Sequence, residues 1–129
     1  MLKQLVDSGI RQFITHLTNS YSHYFNIKYK RSGTLFSGPY KAVHVETDEQ
    51  LIHLSRYIHL NPIVSNLVKS LEDHPWSSYR EYLDPTKKNL ASPESVLGFF
   101  KSGEFYKQFV LDQVDYAKEL EKFKHLTID

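Results

Sequence analysis

Apolar residues recur at every third or fourth position along most of this 129-residue chain, and that spacing commits most of it to helices. Ile10, Phe13, Ile14, Leu17, Tyr21 and Tyr24 predict a helix from about Ser8 to Phe25, capped by Asp7 or Ser8. Residues 26–33 are polar and basic and read as a loop. Thr47-Asp48-Glu49-Gln50 has the capping-box pattern and opens a second helix with Leu51, Leu54 and Ile58 as its buried stripe. Pro62 disfavours helical geometry at Asn61, so this helix is expected to end near Leu60. A short helical piece over Ile63 to Leu71 follows, broken by His74-Pro75-Trp76-Ser77-Ser78-Tyr79, where Ser77 or Ser78 can begin another turn. Ser92-Pro93-Glu94 starts a further helix, which Gly98 to Gly103 interrupts. A long last helix is predicted over Glu104 to Lys124, with Phe105, Phe109, Val110, Ala117, Leu120 and Phe123 on its apolar side. One segment breaks the helical pattern. From Tyr40 to Glu46 the residues alternate, with Ala42, His44 and Glu46 on one side and Val43 and Val45 on the other, which reads as a strand. The expected class is therefore α+β, dominated by helices, with strand structure mainly in residues 34–46.

The length suits one core, perhaps with an appended helix, and a hydrophobic share of 40% is enough to build it. The absence of cysteine excludes disulfides, thiolate zinc sites and a cysteine nucleophile. No apolar run approaches the roughly 18 residues of a membrane span, and the first residues contain no apolar signal core. A soluble, cytoplasmic protein is expected. The net charge of +1 hides a division: residues 1–41 carry +5 and residues 42–129 carry −4. A basic end of this kind suits a polyanion, although a solvated basic loop explains it as well.

Two constellations bear on chemistry. On the second helix, His53, Tyr57 and Asn61 fall within about 80° of one another, placing a phenol between an imidazole and an amide. A tyrosine hydroxyl titrates near 10, so it needs a base or a metal to act as a nucleophile; the alternative is a ring that packs and a hydroxyl that meets solvent. The basic stretch interleaves cations and rings: Lys28, Lys30, Arg31 and Lys41 with Tyr24, Phe25, Tyr29, Phe36 and Tyr40. Single-stranded nucleic acid is held this way, cations on phosphates and rings on bases, although the rings can equally enter a core. His44-Val45-Glu46 is the nearest approach to a paired metal-ligand strand, and His16, His23, His59, His74 and His125 have no ligand spacing.

Tyr24-Phe25-Asn26-Ile27-Lys28-Tyr29-Lys30-Arg31-Ser32-Gly33 and Leu35-Phe36-Ser37-Gly38-Pro39-Tyr40-Lys41 together resemble the single-tyrosine HUH transposases, closest to the REP-associated tyrosine transposases and related insertion-sequence proteins. Leu54-Ser55-Arg56-Tyr57-Ile58-His59-Leu60-Asn61-Pro62 and Pro75-Trp76-Ser77-Ser78-Tyr79 agree with it. The similarity covers about residues 4–83 and divides the chain into a transposase-like core, 1–83, and a C-terminal helical extension, 84–129. It implies tyrosine-mediated cleavage and transfer of single-stranded DNA in the transposition of a mobile element. Tyr57 matches the nucleophile, and Asn61 matches the polar helix residue that helps to hold a divalent metal, magnesium or manganese. Single-stranded or hairpin DNA would lie on Lys28, Lys30, Arg31 and Lys41, with Tyr29 or Phe36 stacking on bases.

The family's His-hydrophobic-His metal pair does not occur in this sequence, and in the family it lies just before the segment that Leu2-Lys3-Gln4-Leu5 resembles. The chain thus reads as the C-terminal part of such a transposase, a partial HUH domain whose metal binding and strand cleavage are expected to be impaired. Two alternatives remain open: a non-catalytic DNA-binding remnant, and a helical protein-interaction module. A strand over residues 34–46 without its family neighbours would leave an open edge, which predicts pairing with a second copy of the chain.

Overall fold

The computed structural model describes residues 1–84, 86 and 90–119. Within these the chain forms two compact units, Met1–His44 and Val45–Asp129. This division lies well before Leu83, and the second unit draws on residues from both sides of that position.

The first unit is organised by one helix, α1 (Gly9–Lys28). Ser8 sits at its start in a left-handed conformation, φ 58°, and its side chain makes no capping bond. α1 runs three residues beyond the expected end at Phe25, because its C-terminus is closed by backbone bonds rather than by a breaker residue. The Arg31 N–H donates to the Asn26 carbonyl at 3.0 Å and the Lys30 N–H to that of Ile27 at 3.3 Å, the paired pattern of a Schellman motif. Lys30 occupies the left-handed position, φ 50°, where glycine is usual. α1 buries no residue. Its aromatic side chains meet each other instead, with Phe25 4.4 Å from Tyr29 and Tyr21 6.3 Å from Phe36 between ring centres.

The second unit contains the core. α2 (Asp48–Val64) begins at the predicted cap: Thr47 Oγ1 accepts from the Gln50 N–H at 3.1 Å, and Gln50 Oε1 reaches back to the Glu46 N–H at 2.9 Å, one residue before the Thr47 N–H of a standard capping box. It then passes through Pro62 and ends four residues later than expected. Proline removes the donor that the Ile58 carbonyl would take, but Leu60, Pro62 and Ile63 are all buried on the inner side, and that packing outweighs the lost bond. A second Schellman closure ends the helix, with Asn66 left-handed at φ 56° and the Leu67 N–H donating to the Pro62 carbonyl at 2.9 Å. The short helical piece expected to run to Leu71 therefore does not form; a 3-10 turn, Leu71–Asp73, takes its place.

Three further helices follow: α3 (Tyr79–Leu83), α4 (Glu94–Leu97) and α5 (Gly103–Leu111). Leu60 and Ile63 of α2 bury against Leu71, Tyr79 and Tyr82, and Val96, Tyr106 and Val110 complete the cluster. Each such side chain contributes about 1.5–3 kcal/mol by leaving water. Gly103 marks the closest approach of backbones, since a Cβ there would stand 2.7 Å from the Leu83 carbonyl oxygen. α5 turns Val110 inward and packs Phe109 against the core as expected, but Tyr106 takes the buried place expected for Phe105, which is exposed. A turn at 112–113 separates α5 from helical residues 114–119, and the remainder of the long last helix, with Leu120 and Phe123, lies outside the described residues.

No strand forms among the described residues, and the α+β expectation is corrected to an all-helical fold. Alternation alone gave Tyr40 to Glu46 its strand character, but a strand needs a neighbour to take its backbone bonds. None is present among the described residues, and Val43 is 92% exposed. The partial HUH-type architecture and the open-edge argument for a second copy fall with it. No helix of the described residues is long and apolar enough to cross a membrane.

Candidate functional site

The two constellations fall in different units, and each is built by one helix. In the first unit the turn at the end of α1 gathers the basic stretch around its rings. Lys28 Nζ lies 5.5 Å from the centre of the Tyr24 ring and 5.6 Å from that of Tyr29, and the Arg31 guanidinium lies 5.8 Å from Phe25. The loop is pinned by Asn26 Nδ2, which donates to the Gly33 carbonyl at 3.0 Å; Gly33 has φ 93°, a conformation open to glycine. Tyr29, Phe36 and Lys30 are exposed in the same segment. Lys41 is exposed in the irregular chain that follows, outside this turn. Cations over exposed rings leave both the charge and a ring face open to a strand.

In the second unit, the register of α2 set by Thr47 puts His53, Tyr57 and Asn61 at successive four-residue steps, and all three are exposed. Arg56 stacks on the Phe109 ring at 4.2 Å and donates to His53 Nδ1 at 2.8 Å, fixing that imidazole. Burial lowers the guanidinium pKa from its ordinary value. The Tyr57 hydroxyl has no hydrogen-bond partner among the described residues, and His53 is turned to Arg56 rather than to it. Asn61 Oδ1 accepts from the Ser65 hydroxyl at 3.3 Å. Asn61 also lines a cleft of about 300 Å³, with Ile58, His74, Trp76 and Ser78 among the other walls. Trp76 is 88% exposed.

Behind this face lies a buried polar chain. His59, 3% exposed, is flanked edge-on by Tyr79, Tyr82 and Tyr106, the nearest ring centre at 4.6 Å. Its Nδ1 is 2.7 Å from the Tyr106 hydroxyl and its Nε2 3.0 Å from Ser78 Oγ. Tyr106 donates to Ser55 Oγ at 3.1 Å, and Ser55 donates to the Ile52 carbonyl at 2.7 Å. Burial lowers the His59 pKa to about 4, so the ring is neutral at pH 7. Burial also raises the Tyr106 and Tyr79 hydroxyls above the usual phenol range. The Tyr79 hydroxyl is buried with no partner among the described residues. To one side, Glu72 accepts from Ser70 at 2.6 Å and pairs with Lys107 at 3.0 Å, and these bonds hold its carboxyl at about 2.

The apolar spacing pointed to Leu51, Leu54 and Ile58 as the inner stripe; Leu51 does pack against the core, but Ile58 is exposed, and the polar Ser55 and His59 are buried among the inner residues. Two polar residues four apart between apolar neighbours were the available signal; their burial depends on Tyr106 and Ser78, which lie far along the chain. The divalent metal implied by the resemblance finds no matching donors. Asn61 Oδ1 is engaged by the Ser65 hydroxyl, and no group of three His, Cys, Asp or Glu converges among the described residues. No family model matches the chain, and no match is found among curated proteins or among solved structures.

Proposed function

We propose that this chain binds single-stranded or hairpin DNA and carries, in Tyr57, the nucleophile of a tyrosine transposase-like strand-transfer reaction. The observation that supports it is the placing of Tyr57: an exposed phenol in mid-helix, one turn before the cleft-lining Asn61, on the helix that also carries the buried Ser55 and His59. In the reaction Tyr57 Oη attacks a backbone phosphorus. The new bond joins tyrosine to the 5′ phosphate, the bond to the 3′ oxygen breaks, and the phenol proton is balanced by protonation of the released 3′ hydroxyl. The rings and cations of α1 and its turn supply strand affinity.

A second reading, binding without cleavage, is favoured by the lack of any base bonded to the Tyr57 hydroxyl among the described residues. Labelled hairpin DNA with magnesium or manganese separates the two on a denaturing gel. A covalent band lost in Tyr57→Phe supports the nucleophile, and a band that persists in Tyr57→Phe refutes it. Strand binding without a band supports the second reading. Salt-insensitive binding to protein partners alone, with no strand binding at low salt, refutes both in favour of a helical interaction module.

A further inference from the structure

The cleft that Asn61 and Ser78 line has one wall whose hydrogen-bonding polarity is set inside the core. A carbonyl can only accept, so the Ser55 hydroxyl gives its one hydrogen to Ile52 and offers Tyr106 only a lone pair. Tyr106 then gives its hydrogen to Ser55 and accepts from His59 Nδ1, which must carry the ring's proton. Nε2 of the neutral ring is bare and takes the hydrogen of Ser78. Four bonds thus run one way, and such chains polarise one another. Ser78 lines the cleft with its only hydrogen committed inward, so a molecule that reaches this side chain meets a lone pair and no donor, while Asn61, His74 and Ser77 supply the donors of the other walls. At the rim Trp76 is 88% exposed, and the Asn61 amide stands on another wall.

We propose that this cleft is a subsite for one nucleobase of a single strand, stacked on Trp76 and giving an amino N–H to Ser78 Oγ. The class of ligand is an amino-bearing base such as adenine or cytosine. The volume of about 300 Å³ is at the small end of ligand clefts and admits one base rather than a folded partner. An exposed indole provides the flat apolar face that base stacking uses. The inference rests on the strand-binding reading above and adds to it a choice of base.

Trp76 is the only tryptophan in the chain, so its fluorescence reports on this cleft alone. The probes are two labelled oligothymidylates, one with a central adenine and one with a central unsubstituted purine that lacks only the amino group. The adenine strand should quench Trp76 and bind roughly three- to tenfold more tightly than the purine strand, the worth of one hydrogen bond. In Ser78→Ala that preference should fall to near one while the quench persists. In Tyr106→Phe, which removes the acceptor that fixes the His59 proton, the preference should also narrow although no cleft residue has changed. Equal binding of the two strands by the unaltered chain overturns the subsite. Anisotropy that shows strand binding with no Trp76 quench overturns the subsite and leaves the strand-binding reading in place. No anisotropy change with either strand at low salt overturns both.

Discussion

Acidification should weaken the second unit through His59. The imidazole titrates at about 4 in the folded chain against 6.5 for a free histidine, because burial among Tyr79, Tyr82 and Tyr106 disfavours its charged form. The folded pKa is the lower of the two, so the unfolded chain binds the extra proton first and gains from it. Stability is intact above pH 6.5 and is lost as the pH falls toward 4. A separation of about 2.5 units at 1.36 kcal/mol each gives about 3 kcal/mol. That is a large part of the 5–15 kcal/mol typical of a domain. Most of it falls above pH 4.5, before Glu72, whose carboxyl is held at about 2, begins to matter. The assay is urea unfolding between pH 7 and 4.5 for the native chain and His59→Gln, which retains polar atoms but does not titrate there. The native chain should lose roughly 2 kcal/mol more than the variant over that interval, whatever the variant loses at pH 7. Parallel pH profiles for the two chains would refute the reasoning.

Tyr79→Phe should be neutral or stabilising by up to about 1 kcal/mol in urea melts, since it removes a buried hydroxyl without a partner among the described residues; a clear loss of stability would reveal a bond to that oxygen. Gly103→Ala should destabilise, although alanine normally gains about 1 kcal/mol over glycine in a helix, because its Cβ would meet the Leu83 carbonyl oxygen at 2.7 Å. A raised melting temperature would show that α3 and α5 can separate at no cost. Replacing Lys28, Lys30 and Arg31 together by Ala should flatten the salt dependence of strand binding by roughly 2 log units per log of salt, about 0.7 for each phosphate no longer neutralised. An unchanged slope would remove the α1 turn from the interface.

Local rules were legible where the deciding partners were near in sequence. The Thr47 and Gln50 side chains close their box within five residues, and the start of α2 follows the pattern. The end of α2 did not follow from Pro62, because burial of Leu60 and Ile63 against distant elements outweighs the proline's local preference. Tyr40 to Glu46 shows the reverse case: the alternation is real, but a strand also depends on a neighbour that the segment itself cannot supply. That His53, Tyr57 and Asn61 share one stripe of α2 could be read from helical geometry alone. Its backing could not, because Ser55 meets Tyr106 only across 51 positions and His59 meets it across 47. Lys30 in the left-handed position at the end of α1 was equally hidden, since lysine carries no signal for that conformation.

The length of those connections bears on how the second unit assembles. Closing a span of about fifty residues is entropically unfavourable and is not recovered until both ends are desolvated together. α2 cannot settle its inner side early: without α5 in place, its imidazole and serine hydroxyl would face water or an unmatched apolar surface. The amide protons of α2 and α5 should therefore exchange with solvent at one common rate, set by a single opening event, rather than helix by helix. A chain shortened before Tyr106 would lose far more than its last helix, because the middle of α2 would no longer have a reason to stay dry.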